Sequence, residues 1–346
     1  MPPVGGLTWI RRAFVAALAA AALLTVAAPS SADLPSAVWQ APSPAPGSVL
    51  TVQAGSTLHV QLNVAVPAVA GAVLNVKSHR PRGSSLRVKA GNPSTAVFSW
   101  HPGGRQIGDH AVSFTASVKA PVAVPATTLP VTIRVVPGYA ALTTATSSHF
   151  AYLIHPTAIH SGPSRGSSVV GRVGLWTPEN YPNLVSLIEH RIQKNGTWVR
   201  VHFPKLPNNT TGWVSRDALG SYRALQTHLV VDRASTRLTL YKAGKVIFQT
   251  RVGVGQNRWP TPAGEFYVTE KITGFHNAAY GPIAFGTSAR SAVLTDWPGG
   301  GFIGIHGTDA PGLIPGHISH GCVRLRNAAI LRLARLLPVG TPLTVQ

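Results

Sequence analysis

Between residues 57 and 136 the chain breaks into five short runs in which apolar and polar residues alternate. They are TLHVQLNV (57–64), AVLNVKS (72–78), TAVFSW (95–100), HAVSFTASV (110–118) and TLPVTIRVV (128–136). Alternation of period two sends one face of a strand into a core and the other into water. Gly- and Pro-containing turns separate the runs at the spacing of a β-sandwich. The texture persists downstream: residues 150–222 read as about five short strands, and HLVVDRA (228–234) and RLTLYKAGKVIFQTRVGVG (237–255) alternate again. KAGK (242–245) predicts a hairpin turn, with Gly244 suited to positive φ. A helical period appears near the end, where Ile330, Leu333, Ala334 and Leu337 fall at i, i+3, i+4 and i+7. Asn327 stands where a cap belongs, Pro338 and Gly340 stop the helix, and TPLTV (341–345) returns as a strand. The expected class is mainly β with a short C-terminal helix.

A chain of 346 residues is long enough for two or three domains. Residues 1–32 read as a secretory signal, with Arg11 and Arg12 before the apolar run AFVAALAAAALLTVAA (13–28) and small residues Ser30 and Ala32 after it. That run is short for a span of roughly 20 residues, so cleavage is expected over an uncleaved anchor. Both readings place the remainder outside the cytoplasm, in the periplasm or cell wall. One cysteine rules out an intramolecular disulfide framework, and stability must come from ordinary cores. The net charge of +20 is diffuse, with no block of five or six like charges. Nucleic-acid binders concentrate their charge on one element, so no nucleic acid is expected, and anionic cell-wall polymers are the better match. PSAVWQAPSPAPGS (35–48), within 33–48, reads as a linker, and PGYAALTTATSS (137–148) as another.

The single cysteine, Cys322, sits in Ser-His-Gly-Cys, sixteen residues after His306 in FIGIHGTDAPG (302–312). A catalytic cysteine needs a base or imidazolium, donors for an oxyanion, and exposure to substrate. His306 follows the strand-like run Ile303-Gly304-Ile305. Gly321 permits a tight turn that could aim the amides of Gly321 and Cys322 at a developing oxyanion. Three blander readings compete. A free cysteine is commonly a buried small hydrophobe, but Ser319, His320, Arg324 and Arg326 make this setting polar. His306, His317, His320 and Cys322 could ligate zinc, but the spacing fits no common zinc pattern, so neither metal nor cofactor is expected. Arg324 could be a solvated charge, and capping would by itself account for Asn327.

On these residues, 226–346 resembles the L,D-transpeptidase (YkuD-type) catalytic domain. The family signature is a histidine, a gap, then Ser/Thr-His-Gly-Cys-x-Arg-x-x-Asn, matched here by His306 and by Ser319-His320-Gly321-Cys322-Val323-Arg324-Leu325-Arg326-Asn327. VVD (230–232), RLTLY (237–241), VGVGQNRWPTPAGEFYV (252–268) and IGIHGT (303–308) support it. The resemblance implies Cys322 as nucleophile and His306 as general base and later proton donor. It implies Ser319 beside the histidine, orienting it through a carbonyl, with His320 and Gly321 shaping the pocket and oxyanion hole. Arg324 would hold the loop or meet a substrate carboxylate, and Asn327 would support it. Tyr280, Gly307 and Thr308 are expected to meet substrate. Segment 273–301, with Phe275, Tyr280, Phe285 and Trp297, reads equally as groove wall or surface excursion.

The reaction so implied is acyl transfer between peptidoglycan stem peptides, with D-alanine released and an amine acceptor giving a 3→3 cross-link. Carbapenems would be covalent inhibitors. Water as acceptor would make a carboxypeptidase, a related amidase could use the same thiol, and a decayed domain would leave a non-catalytic wall-binding protein. Upstream, FSWHPGGRQIGDHAVSFTAS (98–117) loosely resembles the late strands of bacterial Ig-like domains, giving an Ig-like β-sandwich over 49–137. GSSVVGRV (166–173), GTWVRVHF (196–203) and GWVSRDAL (212–219) resemble a bacterial SH3-like small barrel over 148–222, with Trp198 and Trp213 expected to pack rather than to form a ligand platform.

Overall fold

The structure, a computed structural model, describes residues 35–67, 69–119, 123–274, 277–294 and 301–346; the expected signal segment, Phe275 and Trp297 lie outside the described residues. The described chain is mainly β and has three main cores, with a small fourth between the second and third.

The first module is two four-stranded sheets face to face. One sheet runs Val38–Gln40, Leu58–Ala65, Ser94–Trp100, Ser84–Lys89; the other runs Val49–Gln53, Thr127–Val136, Gly108–Lys119, Val73–His79. The inward half of each alternating run fills the space between them: Val60, Leu62, Phe98, Phe114 and Ile133 are buried, and the Phe98 and Phe114 rings meet edge to face at 5.6 Å. The structure differs from the sequence reading at the N-terminal linker. Val38–Gln40 pairs antiparallel with Leu58–Ala65, and Ala37 is buried. The few apolar residues among the prolines suffice to extend a sheet edge.

The second module is one eight-stranded sheet closed on its own core of Ala151, Ile159, Leu187, Val199, Val201 and Val214. It reaches past both expected ends. Gly138–Ala141, read as linker, pairs with Leu184–Gln193, and Arg223–Leu225 pairs with Ser148–Tyr152. Trp198 and Trp213 are buried at 5% and 7% exposure, as packing residues are. No free linker joins the first two modules. Ile192 packs against Gly55, Gly104 and Gly138, and any side chain at Gly138 would strike the Ala54 carbonyl.

The third module is a ten-stranded sheet in the order Lys245–Arg251, Arg237–Lys242, Thr227–Asp232, Pro342–Val345, Gly264–Thr273, Ile283–Arg290, Phe302–His306, Val323–Arg324, Gly253–Gly255, Gly316–Ser319. The KAGK hairpin closes with Lys242 opposite Lys245 and with Ala243 and Gly244 at φ 49° and 75°. That turn matches the twist of the flanking strands. The helix Asn327–Leu336 buries Ile330, Leu333 and Ala334 and leaves Arg332 and Arg335 in water. Each fully buried Leu or Ile contributes about 1.5–3 kcal/mol. Its cap position is Arg326, with no side-chain cap bond, so Asn327 is the first helical residue and not the cap.

Modules two and three share a small core of Phe150, Leu184 and Tyr267, and the Tyr267 hydroxyl donates to the Leu184 carbonyl at 3.2 Å. Glu270 lies in the same boundary at 6% exposure. Burial first, and the charge of Glu179 from the second module after it, push its carboxyl up to about 7; the Thr269 and Thr177 hydroxyls oppose the shift.

Candidate active site

The site forms where two neighbouring strands end. Phe302–His306 runs parallel to Val323–Arg324, with Ile305 opposite Val323 and His306 opposite Arg324. This register brings the residue just before Val323, the cysteine, alongside Gly304, whose N–H donates to Cys322 Sγ at 3.3 Å. Cys322 and His306 both line a cavity of about 270 Å³, together with Tyr280, His320, Arg324 and Ile303.

The turn that delivers the thiol is held by two hydroxyls. Ser319 Oγ accepts the Gly321 N–H at 3.1 Å and donates to the Cys322 carbonyl at 2.6 Å. Buried Thr261, from the Thr-Pro-Ala-Gly stretch, accepts the Gly255 N–H at 2.9 Å and donates to the Gly321 carbonyl at 2.7 Å. Gly321 has φ 116°, and a side chain there would come within 2.8 Å of Ile303 Cδ1. Glycine is therefore required by both conformation and space. Its amide is engaged by Ser319, which corrects the expectation that it points at an oxyanion.

His306 is 3% exposed, and its Nδ1 lies 2.7 Å from the Gly307 carbonyl. A carbonyl only accepts, so Nδ1 carries the proton and Nε2 is left as the acceptor. The orienting carbonyl belongs to the histidine's own successor. The Ser319 carbonyl instead accepts the Gln256 N–H at 2.9 Å. Burial, reinforced by the Arg324 charge and opposed by the Gly307 contact, lowers the imidazole to about 4. Cys322 is half-buried, and loss of solvation raises its thiol despite the Gly304 N–H and Arg324. Both shifts thus run toward the uncharged forms of the two groups.

The other expected residues divide into cavity walls and supports. Tyr280 packs its ring on His306 at 4.8 Å. His320 lines the cavity and rests on Trp259 at 4.1 Å, while the Arg258 guanidinium lies over that indole at 3.3 Å. Arg324 lines the cavity half-buried. His317 Nδ1 faces the Gly255 carbonyl at 3.2 Å. Among the described residues no three His, Cys, Asp or Glu side chains cluster as a metal site requires. Gly307 and Thr308 are buried and are not among the residues that line the cavity. The reason is Asn327. Its Oδ1 accepts the Thr308 N–H at 2.9 Å in a space that side chains at Gly281 or Gly307 would fill. Asn327 thus clamps the Tyr280 and His306 loops together from behind. The Gly304 amide and the Gly307 carbonyl escaped the sequence reading because backbone groups carry no residue-type signal.

Residues 226–345 match the family model described as the L,D-transpeptidase catalytic domain. "Putative L,D-transpeptidase YkuD" of Bacillus subtilis (strain 168) is 31% identical over 118 residues, covering 34% of this chain and 65% of that protein. The chain thus spans just under two thirds of that relative. "Putative L,D-transpeptidase YqjB" of the same strain is 30% identical over 122 residues, covering 33% and 68%. Among solved structures, the catalytic domain from the E. faecium L,D-transpeptidase is 28% identical over 35% of this chain and 96% of that one, with a TM-score of 0.27. The LD transpeptidase LdtMt1 in complex with imipenem is 13% identical over 90% and 100%, with a TM-score of 0.27.

Proposed function

The chain belongs, through residues 226–345, to the L,D-transpeptidase catalytic-domain family, and from that premise we propose that it is an exported enzyme joining peptidoglycan stem peptides. The observation that carries this reading is the cavity lined by both Cys322 and a buried histidine whose Nδ1 is tied to a carbonyl. In the first half-reaction, Cys322 Sγ attacks the carbonyl of the third, L-centred residue of a tetrapeptide stem. His306 Nε2 takes the thiol proton as the C–S bond forms, and the imidazolium then gives it to the nitrogen of the departing D-alanine. In the second, the side-chain amine of another stem attacks the thioester, loses a proton to His306, and the thiol is restored with a 3→3 amide in place.

The shifts of both groups toward their uncharged forms favour proton transfer during attack over a preformed ion pair. Arg324, beside the reacting centre, supplies positive potential for the oxyanion or for a substrate carboxylate. The Ig-like and SH3-like modules hold the enzyme against the wall, and the basic excess of the chain suits its anionic polymers.

The test is incubation with purified disaccharide-tetrapeptides followed by mass spectrometry. Dimers lacking one terminal D-alanine, absent with Cys322→Ala, are the expected products. Tripeptide monomer alone would assign a carboxypeptidase, and unchanged substrate would overturn the enzymatic reading. Imipenem, the ligand in the LdtMt1 structure, should add covalently to Cys322.

A further inference from the structure

One wall of the cavity hangs from the end of the strand Ile283–Arg290. Beyond it, Ser291 and Leu294, and then Gly301 and Phe302 on the returning strand, all line the cavity. The neck of this excursion is closed by the Ser291 N–H donating to the Gly301 carbonyl at 2.8 Å and by Arg290 lying opposite Phe302. The Arg290 guanidinium also lies over the Phe302 ring at 3.9 Å.

On the other side of this strand, among the described residues, the ladder stops short of Arg290. Pairing with Gly264–Thr273 ends at Val268 opposite Thr287, and the next contact, from the Tyr267 N–H, goes to the Ser288 hydroxyl at 3.1 Å. Pairing toward Phe302–His306 is itself irregular between Gly286 and Arg290. A residue of the second module fills the gap. Asn208 Nδ2 donates to the Arg290 carbonyl at 2.8 Å, and the Arg290 N–H donates to Asn208 Oδ1 at 3.1 Å. A carboxamide carries the donor and acceptor of a peptide group on one planar unit. Here it replaces one residue of a missing neighbouring strand.

Its neighbour makes a useful contrast. Asn209 Oδ1 accepts the Glu265 N–H at 2.7 Å, also across the module boundary, but Glu265 is on a strand whose residues do not line the cavity. We propose that Asn208 is a positioning residue: through the Arg290 backbone, the second module fixes the cavity wall formed by Ser291, Leu294 and Phe302, and so the rate at which a bulky acyl donor is brought to Cys322. The effect on rate rests on the acyl-transfer reading; the effect on the wall does not.

The experiment compares the full chain with Asn208→Ala and Asn209→Ala in three measurements. These are amide hydrogen exchange over 288–303, second-order acylation by imipenem from intact mass, and alkylation of Cys322 by iodoacetamide, a reagent too small to need the wall. Asn208→Ala should raise exchange at the neck and slow imipenem on the order of tenfold, since small misplacements of a reacting group carry large rate costs. Its iodoacetamide rate should stay within twofold. Asn209→Ala should leave all three within twofold. Unchanged exchange in Asn208→Ala, faster exchange without slower acylation, equal slowing of both reagents, or the same behaviour from Asn209→Ala would each overturn the proposal. A wild-type chain inert to imipenem would sink the acyl-transfer reading, and the exchange comparison would still decide whether Asn208 holds the wall.

Discussion

His306 and Cys322 are each driven toward the uncharged form, and the imidazole shift has two experimental signatures. The imidazole, lowered to about 4, stays a competent base well below the usual histidine value of 6.5. The acid limb of imipenem acylation should therefore centre near 4, and a limb at 6.5 would contradict the buried assignment. Stability follows with a definite sign. Between 6.5 and about 4 the unfolded chain binds a proton that folded His306 refuses, so stability is lost as pH falls through that window. His306→Gln should remove that share of acid sensitivity and lower acylation about 10²–10⁴-fold. Gly321→Ala should cost about 1–3 kcal/mol in denaturant unfolding, because φ 116° and Ile303 both oppose a side chain. Loss of less than half of that would mean the turn relaxes freely.

At the scale of elements, the start of the C-terminal helix separates what the sequence displays from what it hides. The period of Ile330, Leu333 and Ala334 marks the helix face because burial repeats with the backbone's own pitch. The role of Asn327 was hidden, since asparagine before an apolar period looks the same as a cap or as a clamp on a distant loop. A substitution tells them apart. Serine caps as well as asparagine, but it is too short to reach the Thr308 amide, so Asn327→Ser should cost about 1–2 kcal/mol by thermal or denaturant unfolding. A neutral result would restore the cap. The strand Gly264–Thr273 carries another hidden charge in Glu270. Its carboxyl, near 7 in the fold against 4.5 ordinarily, is protonated where the unfolded chain is ionised. Stability therefore falls as pH rises from about 4.5 to 7 and then levels. Glu270→Gln should melt higher than wild type at pH 8 and no higher at pH 4.

Across the whole molecule, the alternating runs disclosed a mainly β chain, and the Ser-His-Gly-Cys stretch with His306 pointed to two side chains that line one cavity. Contacts between distant segments were not legible, because neither partner is unusual for its own neighbourhood. Tyr267 reads as an ordinary strand residue until Leu184 and Phe150 are seen against it. That shared core predicts joint unfolding of the second and third modules. Phe150→Ala should destabilise both by about 3–5 kcal/mol within one calorimetric transition, and two transitions would show that the modules are energetically separate. The seat of Ile192 among Gly55, Gly104 and Gly138 has a different consequence. A flexible tether would let the cavity sample a volume around its point of attachment, at a concentration set by tether length. A joint packed side chain to backbone removes that freedom. The cavity then sits at a fixed reach from the first module, and on the proposed acyl-transfer reading an acceptor must lie at that distance.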